Sequence, residues 1–359
     1  GWSTIRRSRP LTAMLRGRFS RLATASGSAY VAYRANQQSQ CQSKPDGLTK
    51  LRTEDFDLAD HCHGKAKVRV LRVRHDGPKH QVQEYSVATK LFSPIYSDVF
   101  VNENNAGLVA TDTQKNTVYV VAKRSSATTP EGYAVDLCRH LLNEYPVLSA
   151  VEVEVHETIW QRVTAADGSP HNHGFTKAAP EMNTARVRLT RDRKDSPIVV
   201  SGVTGLTVLK TTQSGFSDFL HDKYTLLPDT QERCMATEMA AEWRYITTDA
   251  TIDFGAVRTA VTKELLNGYF GPAKDGVFSI SLQATIFDIG CLALKAAQQV
   301  SCISIDTPNL HYLPFRNLEA LGETFADDVF IPTSEPSGTI HCTVTRESLL
   351  RTANGPLDR

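Results

Sequence analysis

The sequence predicts an α+β fold made of two tandem units, each with antiparallel sheet. Three observations predict it. Segments alternating apolar and polar residues outnumber segments with helical spacing, and alternation marks strands with one covered face. The same order of strands and helices runs twice along the chain. Each pass also contains a similar polar run, Thr111-Asp112-Thr113-Gln114 and Lys210-Thr211-Thr212-Gln213, whose Thr-Gln pairs lie 99 residues apart.

Taken in order, Lys67–Arg74 (KVRVLRVR) alternates as a half-buried strand, and Gln81–Leu91 is its hairpin partner across the turn Asp76-Gly77-Pro78. Gly107–Ala110 and Thr117–Ala122 (TVYVVA) read as strands on either side of the polar run Thr111–Asn116. Across Pro130–Tyr145, the residues Ala134, Leu137, Cys138, Leu141 and Leu142 recur at helical spacing. Val151–His156 alternates again. In the second pass Ile198–Leu209 reads as a strand and Phe216–Tyr224 as a helix. Trp243–Ile246 and Thr251–Phe254 read as extended, Arg258–Tyr269 as a helix, Ser279–Ile286 as a strand, Ile289–Gln299 as a helix and Cys302–Ile305 as a strand. Sheets of this kind expose edges that need protection, and closing several subunits into a barrel supplies it.

The 359 residues are 41% apolar and 22% charged, which excludes wholesale disorder. No apolar run reaches the roughly 18 residues of a membrane-spanning helix. Seven scattered cysteines without a C-x-x-C pair argue against a disulfide framework and fit a reducing compartment. The net charge of +1 is unevenly placed. Residues 1–45 carry eight basic side chains and no acid, so the remainder sums to −7 and offers no basic stripe for nucleic acid. A basic, hydroxyl-rich, acid-free start has the composition of an organellar transit peptide, or of a disordered basic tail. These features divide the chain into a basic extension 1–55, a first unit 56–195, a second unit 196–350 and a tail 351–359.

Cofactor motifs are missing: there is no G-x-G-x-x-G, no G-x-x-x-x-G-K-[ST] and no G-x-S-x-G. The pairs His61-x-His63 and His171-x-His173 have metal-ligand spacing on a strand, yet neither has a supporting ligand nearby, and both read as polar loops. The run Val109–Asn116 reads either as a solvated hairpin loop or as a site lined by hydroxyls and amides. Asn309 and His311 alternate within Pro308–Tyr312, so both can face one pocket.

Four stretches resemble one family: Leu108–Lys123 (LVATDTQKNTVYVVAK), Gly205–Tyr224 (GLTVLKTTQSGFSDFLHDKY), Pro308–Tyr312 and Val329–Arg346 (VFIPTSEPSGTIHCTVTR). In sequence and order they are similar to the urate oxidases, or uricases, from about Gly64 to about Leu350. The resemblance implies the tunnelling fold, two ββααββ units per chain, with four chains stacked as a hollow barrel and active sites at subunit interfaces. It implies oxidation of urate by O2 and water to 5-hydroxyisourate and hydrogen peroxide, with no cofactor. It also implies the site. Lys65 matches the family's catalytic lysine, and Thr111, followed by Asp112, the threonine paired with that lysine across a subunit boundary. Phe216 matches the ring that stacks on the purine, and Arg233 the arginine that grips it. Leu282-Gln283 stands where the family has Val-Gln, which binds urate through the backbone of the first and the side chain of the second. Asn309 and His311 match the oxygen-site and remaining catalytic positions. Taken singly, Lys65 reads as solvated, Phe216 as core and Arg233 as surface; the resemblance reverses those readings.

The chemistry suits these residue types. Urate is a flat anion edged with N–H and C=O groups. A guanidinium makes two parallel hydrogen bonds to one edge, an amide offers a donor beside an acceptor, and a phenyl ring stacks on the face. The electrons come from urate itself. What remains is proton transfer: an amine base, a hydroxyl that both donates and accepts, and an imidazole form a relay through Lys65, Thr111 and His311. The family often carries a C-terminal Ser-Lys-Leu-type peroxisomal signal; this sequence ends Pro356-Leu357-Asp358-Arg359, and with its basic start it keeps the mitochondrion beside the peroxisome as a destination. The alternatives are a homologue acting on another purine or pterin, and a non-catalytic binding protein.

Overall fold

The computed structural model describes residues 56–75, 77–248 and 251–346. The extension 1–55, the tail 351–359 and the turn residue Asp76 lie outside the described residues. Every element below belongs to the unit Asp60–Arg359.

Strands β1 (His63–Arg74) and β2 (Gln81–Phe92) form the expected hairpin. Helices α1 (Tyr96–Val101), α2 (Thr111–Arg124) and α3 (Pro130–Glu144) follow, then β3 (Ala150–Thr164) and β4 (Pro170–Thr190). The order then repeats with β5 (Ile198–Lys210), β6 (Met235–Tyr245), α4 (Phe254–Phe270), α5 (Leu282–Ala296) and β7 (Val300–Asp306). An inserted hairpin, β8 (Asn309–Pro314) and β9 (Phe330–Thr333), precedes β10 (His341–Thr345). All form one antiparallel sheet in the order β1-β2-β3-β4-β5-β6-β7-β10, with β8 branching from β6 and β9 from β8. The α+β class and the twofold ββααββ order are those expected from the sequence.

One sheet face carries the core. Tyr85, Val87 and Leu91 of β2, Val151, Val153 and Val155 of β3 and Trp243 of β6 pack with Leu137 and Leu141 of α3 and Val261 and Leu265 of α4. Each such side chain contributes roughly 1.5–3 kcal/mol by leaving water. The alternate positions form a charged ladder across the strands: Arg69 with Glu84, Lys90 with Glu152, and Arg186 with Glu242. Period-two alternation separates the two sets.

Several local expectations are corrected. The polar loop Val109–Asn116 and the strand Thr117–Ala122 are replaced by α2, which starts at Thr111. Its buried residues, Gln114, Thr117, Val118, Val121 and Ala122, recur at three and four, so helical packing overrides the strand preference of Val and Tyr. Phe216–Tyr224 is irregular rather than helical. Phe216 bridges Thr230, Asp218 adopts φ 60, and Leu220 is 90% exposed with no face to cover it. The expected strand Ser279–Ile286 and helix Ile289–Gln299 are one helix, α5, capped by Ser281, whose hydroxyl accepts from the Ala284 amide at 3.1 Å. Phe254 opens α4 behind an Asp253 cap instead of ending a strand. His171 and His173 lie in β4, not in a loop. The two polar runs are not equivalent positions of the repeat: one opens α2 after a second strand, the other follows β5, a first strand.

Candidate active site

The nine candidate residues fall into two groups. The first sits where β1 begins and α2 begins. Lys65, half-buried, pairs with Thr89 of β2. Just past it β1 bulges: Ala66 and Lys67 lie between the pairs Lys65–Thr89 and Val68–Val87, and Lys67 adopts φ 58. Bulges re-aim neighbouring side chains and are frequent beside active sites. Gly64 is required there, because a Cβ would lie 2.0 Å from the Thr89 carbonyl oxygen. The Thr89 hydroxyl donates to Gln114 Oε1 at 2.8 Å, and Gln114 Nε2 donates to the Val109 carbonyl at 3.1 Å. Gln114 lies one turn from Thr111, so this buried chain fixes α2, and Thr111 with it, against the strand pair that carries Lys65. The expected subunit boundary between Lys65 and Thr111 is thereby corrected: both belong to one corner of a single chain. Asp112 is exposed. Its carboxylate accepts from Lys115 and from Asn116 (2.9 Å) on its own helix, and its pKa is lowered first by the Lys115 bond, with Lys65 adding a smaller charge effect.

The second group gathers where β5 ends and β6 begins. The Arg233 guanidinium carbon lies 5.3 Å from the centre of the Phe216 ring. Burial lowers the pKa of Arg233, opposed by Tyr269, and a guanidinium stays charged at neutral pH regardless. Phe216 stacks on Phe219 at 4.8 Å, and Phe219 on His221 at 4.5 Å. Ser279 anchors the segment before α5 to the same place: its amide donates to the Gln213 carbonyl, and its carbonyl accepts from the Gly215 amide, both at 2.9 Å. That sets Leu282, buried, and Gln283, exposed, at the first turn of α5 near Phe216. Asn309 pairs with Thr237 and Leu310 with Ala236, so the register carries His311 toward Met235, two residues from Arg233. Gly338 leaves room for Asn309, since a Cβ there would stand 3.3 Å from Asn309 Nδ2.

The two groups do not meet within one chain. Lys65 lies at the strand ends shared by Phe92, Ala150, Thr190, Ile198 and Tyr245; Arg233 lies at the other ends, with Lys210 and Met235. They are also five strand spacings apart in sheet order, about 24 Å across the sheet.

Neither short histidine pair is set up as a ligand pair. His61 Nε2 contacts the Ser93 carbonyl at 3.2 Å and His63 Nε2 the Val109 carbonyl at 3.1 Å. His171 and His173 stack edge-on, and the His173 amide donates to His171 Nδ1 at 3.2 Å. Among the described residues no group of three or more His, Cys, Asp or Glu side chains is placed to hold a metal ion. Thr89 and Lys210 have a part in the geometry that sequence reasoning does not assign, and Gln114 enters it only within the polar run Val109–Asn116. Their partners are distant in the chain, and only the alternation around Thr89 hints that its side chain faces inward.

Comparison with known proteins places the chain. The family model described as Uricase matches residues 61–188 and 199–341. The chain is 40% identical over 301 residues to a uricase of Arabidopsis thaliana, covering 80% of this chain and 95% of that protein. It is 33% identical over 299 residues to a uricase of Oryctolagus cuniculus, covering 83% and 98%. The crystal structure of a uricase from Arthrobacter globiformis superposes with a TM-score of 0.75 at 30% identity, covering 84% of this chain and 99% of that one.

Proposed function

The chain belongs to the uricase family, and we propose on that premise that it oxidises urate at sites completed by two copies of the chain. It is a urate oxidase, an oxidoreductase with O2 as acceptor. The observation that carries the two-copy reading is the split site. The Lys65–Thr111–Asp112 corner and the Phe216–Arg233–Gln283–Asn309–His311 corner lie at opposite strand ends of one sheet. A second copy brings one corner to the other, and a twofold pairing makes two such sites at once. Among the described residues both outer strands, β1 and β10, keep an unpaired edge, which suits closure into a larger barrel and the family's homotetramer.

In the assembled site Phe216 stacks on the urate ring. Arg233 holds one edge with parallel N–H donors, and the Leu282 backbone with the Gln283 amide reads the other. Asp112 stands beside Thr111 at the corner the partner copy supplies. Lys65 takes a proton from the urate anion, Thr111 relays it, and His311 continues the relay. Two electrons leave urate for O2, which Asn309 and Thr111 hold above the ring. Water adds to the oxidised ring at C5, and the products are 5-hydroxyisourate and hydrogen peroxide. The redox equivalents are balanced by urate and O2 alone, so the proposal includes no cofactor. Units 56–195 and 196–350 are the two tunnelling-fold repeats in this reading. The reaction is assigned to the peroxisome by family resemblance, with the mitochondrion as the alternative that the basic first 45 residues raise.

The test follows urate absorbance, oxygen uptake and peroxide release together, with and without a chelator. Equal molar urate loss, oxygen uptake and peroxide release, unchanged by the chelator, is expected. Loss that stops with the chelator would overturn the cofactor-free reading, and no loss from an assembled oligomer would move the substrate to another planar heterocycle.

A further inference from the structure

Lys210 is a buried cation that the reaction as described does not use. It is the last residue of β5, and 8% of its surface is exposed. Its ammonium donates to the Ser279 hydroxyl at 2.7 Å, the Val277 carbonyl at 2.8 Å and the Tyr269 carbonyl at 3.4 Å. All three acceptors belong to the end of α4 or to the linker running from it to α5.

Apolar burial does little to hold that linker. It turns at Gly271 (φ 71) and Gly276 (φ 65). Beyond them, Val277, Phe278 and Ile280 are 39–49% exposed, while Ser279 is 3% exposed. Apolar side chains face out and the serine faces in, the reverse of a segment held by apolar burial. The polar contacts must fix it instead. Ser279 is where they converge: its backbone bonds the Gln213–Phe216 segment, and its hydroxyl meets both Lys210 and Thr285 Oγ1 (2.8 Å). Thr285 lies in the first turn of α5, beside Leu282 and Gln283. Ser279 therefore ties together the loop that presents Phe216 and the helix start that presents Gln283, and the Lys210 ammonium holds Ser279 and the linker on either side of it in place.

We propose that Lys210 is a positioning residue for urate: its ammonium, acting through Ser279, sets the purine-stacking ring of Phe216 and the edge-reading amide of Gln283 in mutual register. The proposal rests on the site reading above. Burial of a lysine costs stability, and here it also pulls the amine's pKa down to about 8. A charge retained at that cost fits a role in placement rather than in holding the fold together.

The experiment measures urate affinity under anaerobic conditions, where urate binds without turning over, together with aerobic KM and kcat. Lys210→Met keeps the side chain's length and removes the donors. Ser279→Ala removes only the acceptor, as a second variant should the first fail to assemble. Phe216→Ala tests the underlying site. The expected result is an increase of about tenfold or more in the urate Kd and KM of Lys210→Met, with kcat within about threefold of wild type. Ser279→Ala should shift the same constants in the same direction by less. If Phe216→Ala weakens urate binding while both Lys210→Met and Ser279→Ala bind it as wild type, the positioning role is overturned and the site stands. If Phe216→Ala also binds urate unchanged, the site reading falls and takes this role with it. A fall in kcat at unchanged KM would also overturn it.

Discussion

Thr89 and Gln114 share a buried hydrogen bond, hydroxyl to amide oxygen at 2.8 Å, between β2 and α2. Thr89 is the register partner of Lys65, and Gln114 lies one turn beyond Thr111. This contact ties together the two elements that carry the first two members of the proposed relay, Lys65 and Thr111. Thr89→Val keeps the volume and leaves Gln114 Oε1 without its donor. A buried unpaired acceptor costs about 1–3 kcal/mol. The expected outcome is a modestly lowered melting temperature and a fall in kcat of about tenfold, with KM changed far less, because the misplaced groups act in proton transfer. Steady-state kinetics on the assembled variant checks this.

Arg258 of α4 and Glu131 of α3 form a buried ion pair joining the two ββααββ repeats. Ser201 of β5 also donates to Glu131, and Arg258 donates to the Gly202 carbonyl. Removing one partner leaves an uncompensated buried charge, which costs roughly 3–5 kcal/mol. Glu131→Ala should therefore lower the denaturation midpoint strongly. The double variant Glu131→Leu with Arg258→Met should recover most of the loss, and urea titration of the three proteins reads the difference.

Glu157 is held in β3 with one carboxylate oxygen accepting from Asn183 at 2.9 Å. Burial raises its pKa above the ordinary 4.5, opposed by the Asn183 bond and by Arg258. A raised pKa means the folded chain binds the proton more tightly than the unfolded one. The stabilisation is then fully present below the unfolded value and is lost as pH rises through the folded value. Glu157→Gln should raise the melting temperature at about pH 7 and leave it unchanged at about pH 4. Thermal unfolding at the two pH values decides it.

Strands such as Val151–His156 were legible because Val and acidic or polar residues alternate without interruption, and one face of the sheet is covered. Helix α2 was not, because Thr117, Val118, Tyr119 and Val120 look like a strand locally, while the spacing of Gln114, Val118 and Val121 matters only once α2 packs on the sheet. The single helix α5 was split in two for a related reason: its Ser279-Ile280-Ser281 approach alternates, and the Ser281 cap is visible only in the structure. Lys65, Phe216, Arg233, Leu282 and Gln283 are candidates by family resemblance alone, whereas the polar run around Thr111 and Asp112 and the alternation of Asn309 and His311 also mark the site locally. Its physical logic, two half-sites at opposite strand ends, depends on strand register, which no local pattern encodes. The Lys210–Ser279 contact spans 69 residues of sequence and was invisible for the same reason.

The central claim is that each site is built from two chains, and complementation tests it most directly. Lys65→Met removes the base from one corner, and Arg233→Gln removes the clamp from the other. Each variant alone should be nearly inactive. When the two are co-expressed, hybrid pairs contain one site with both corners intact, and random pairing should restore about a quarter of wild-type urate turnover. Recovery near that level is the predicted result. Hybrid oligomers that form and stay as inactive as the two parents would contradict the shared site.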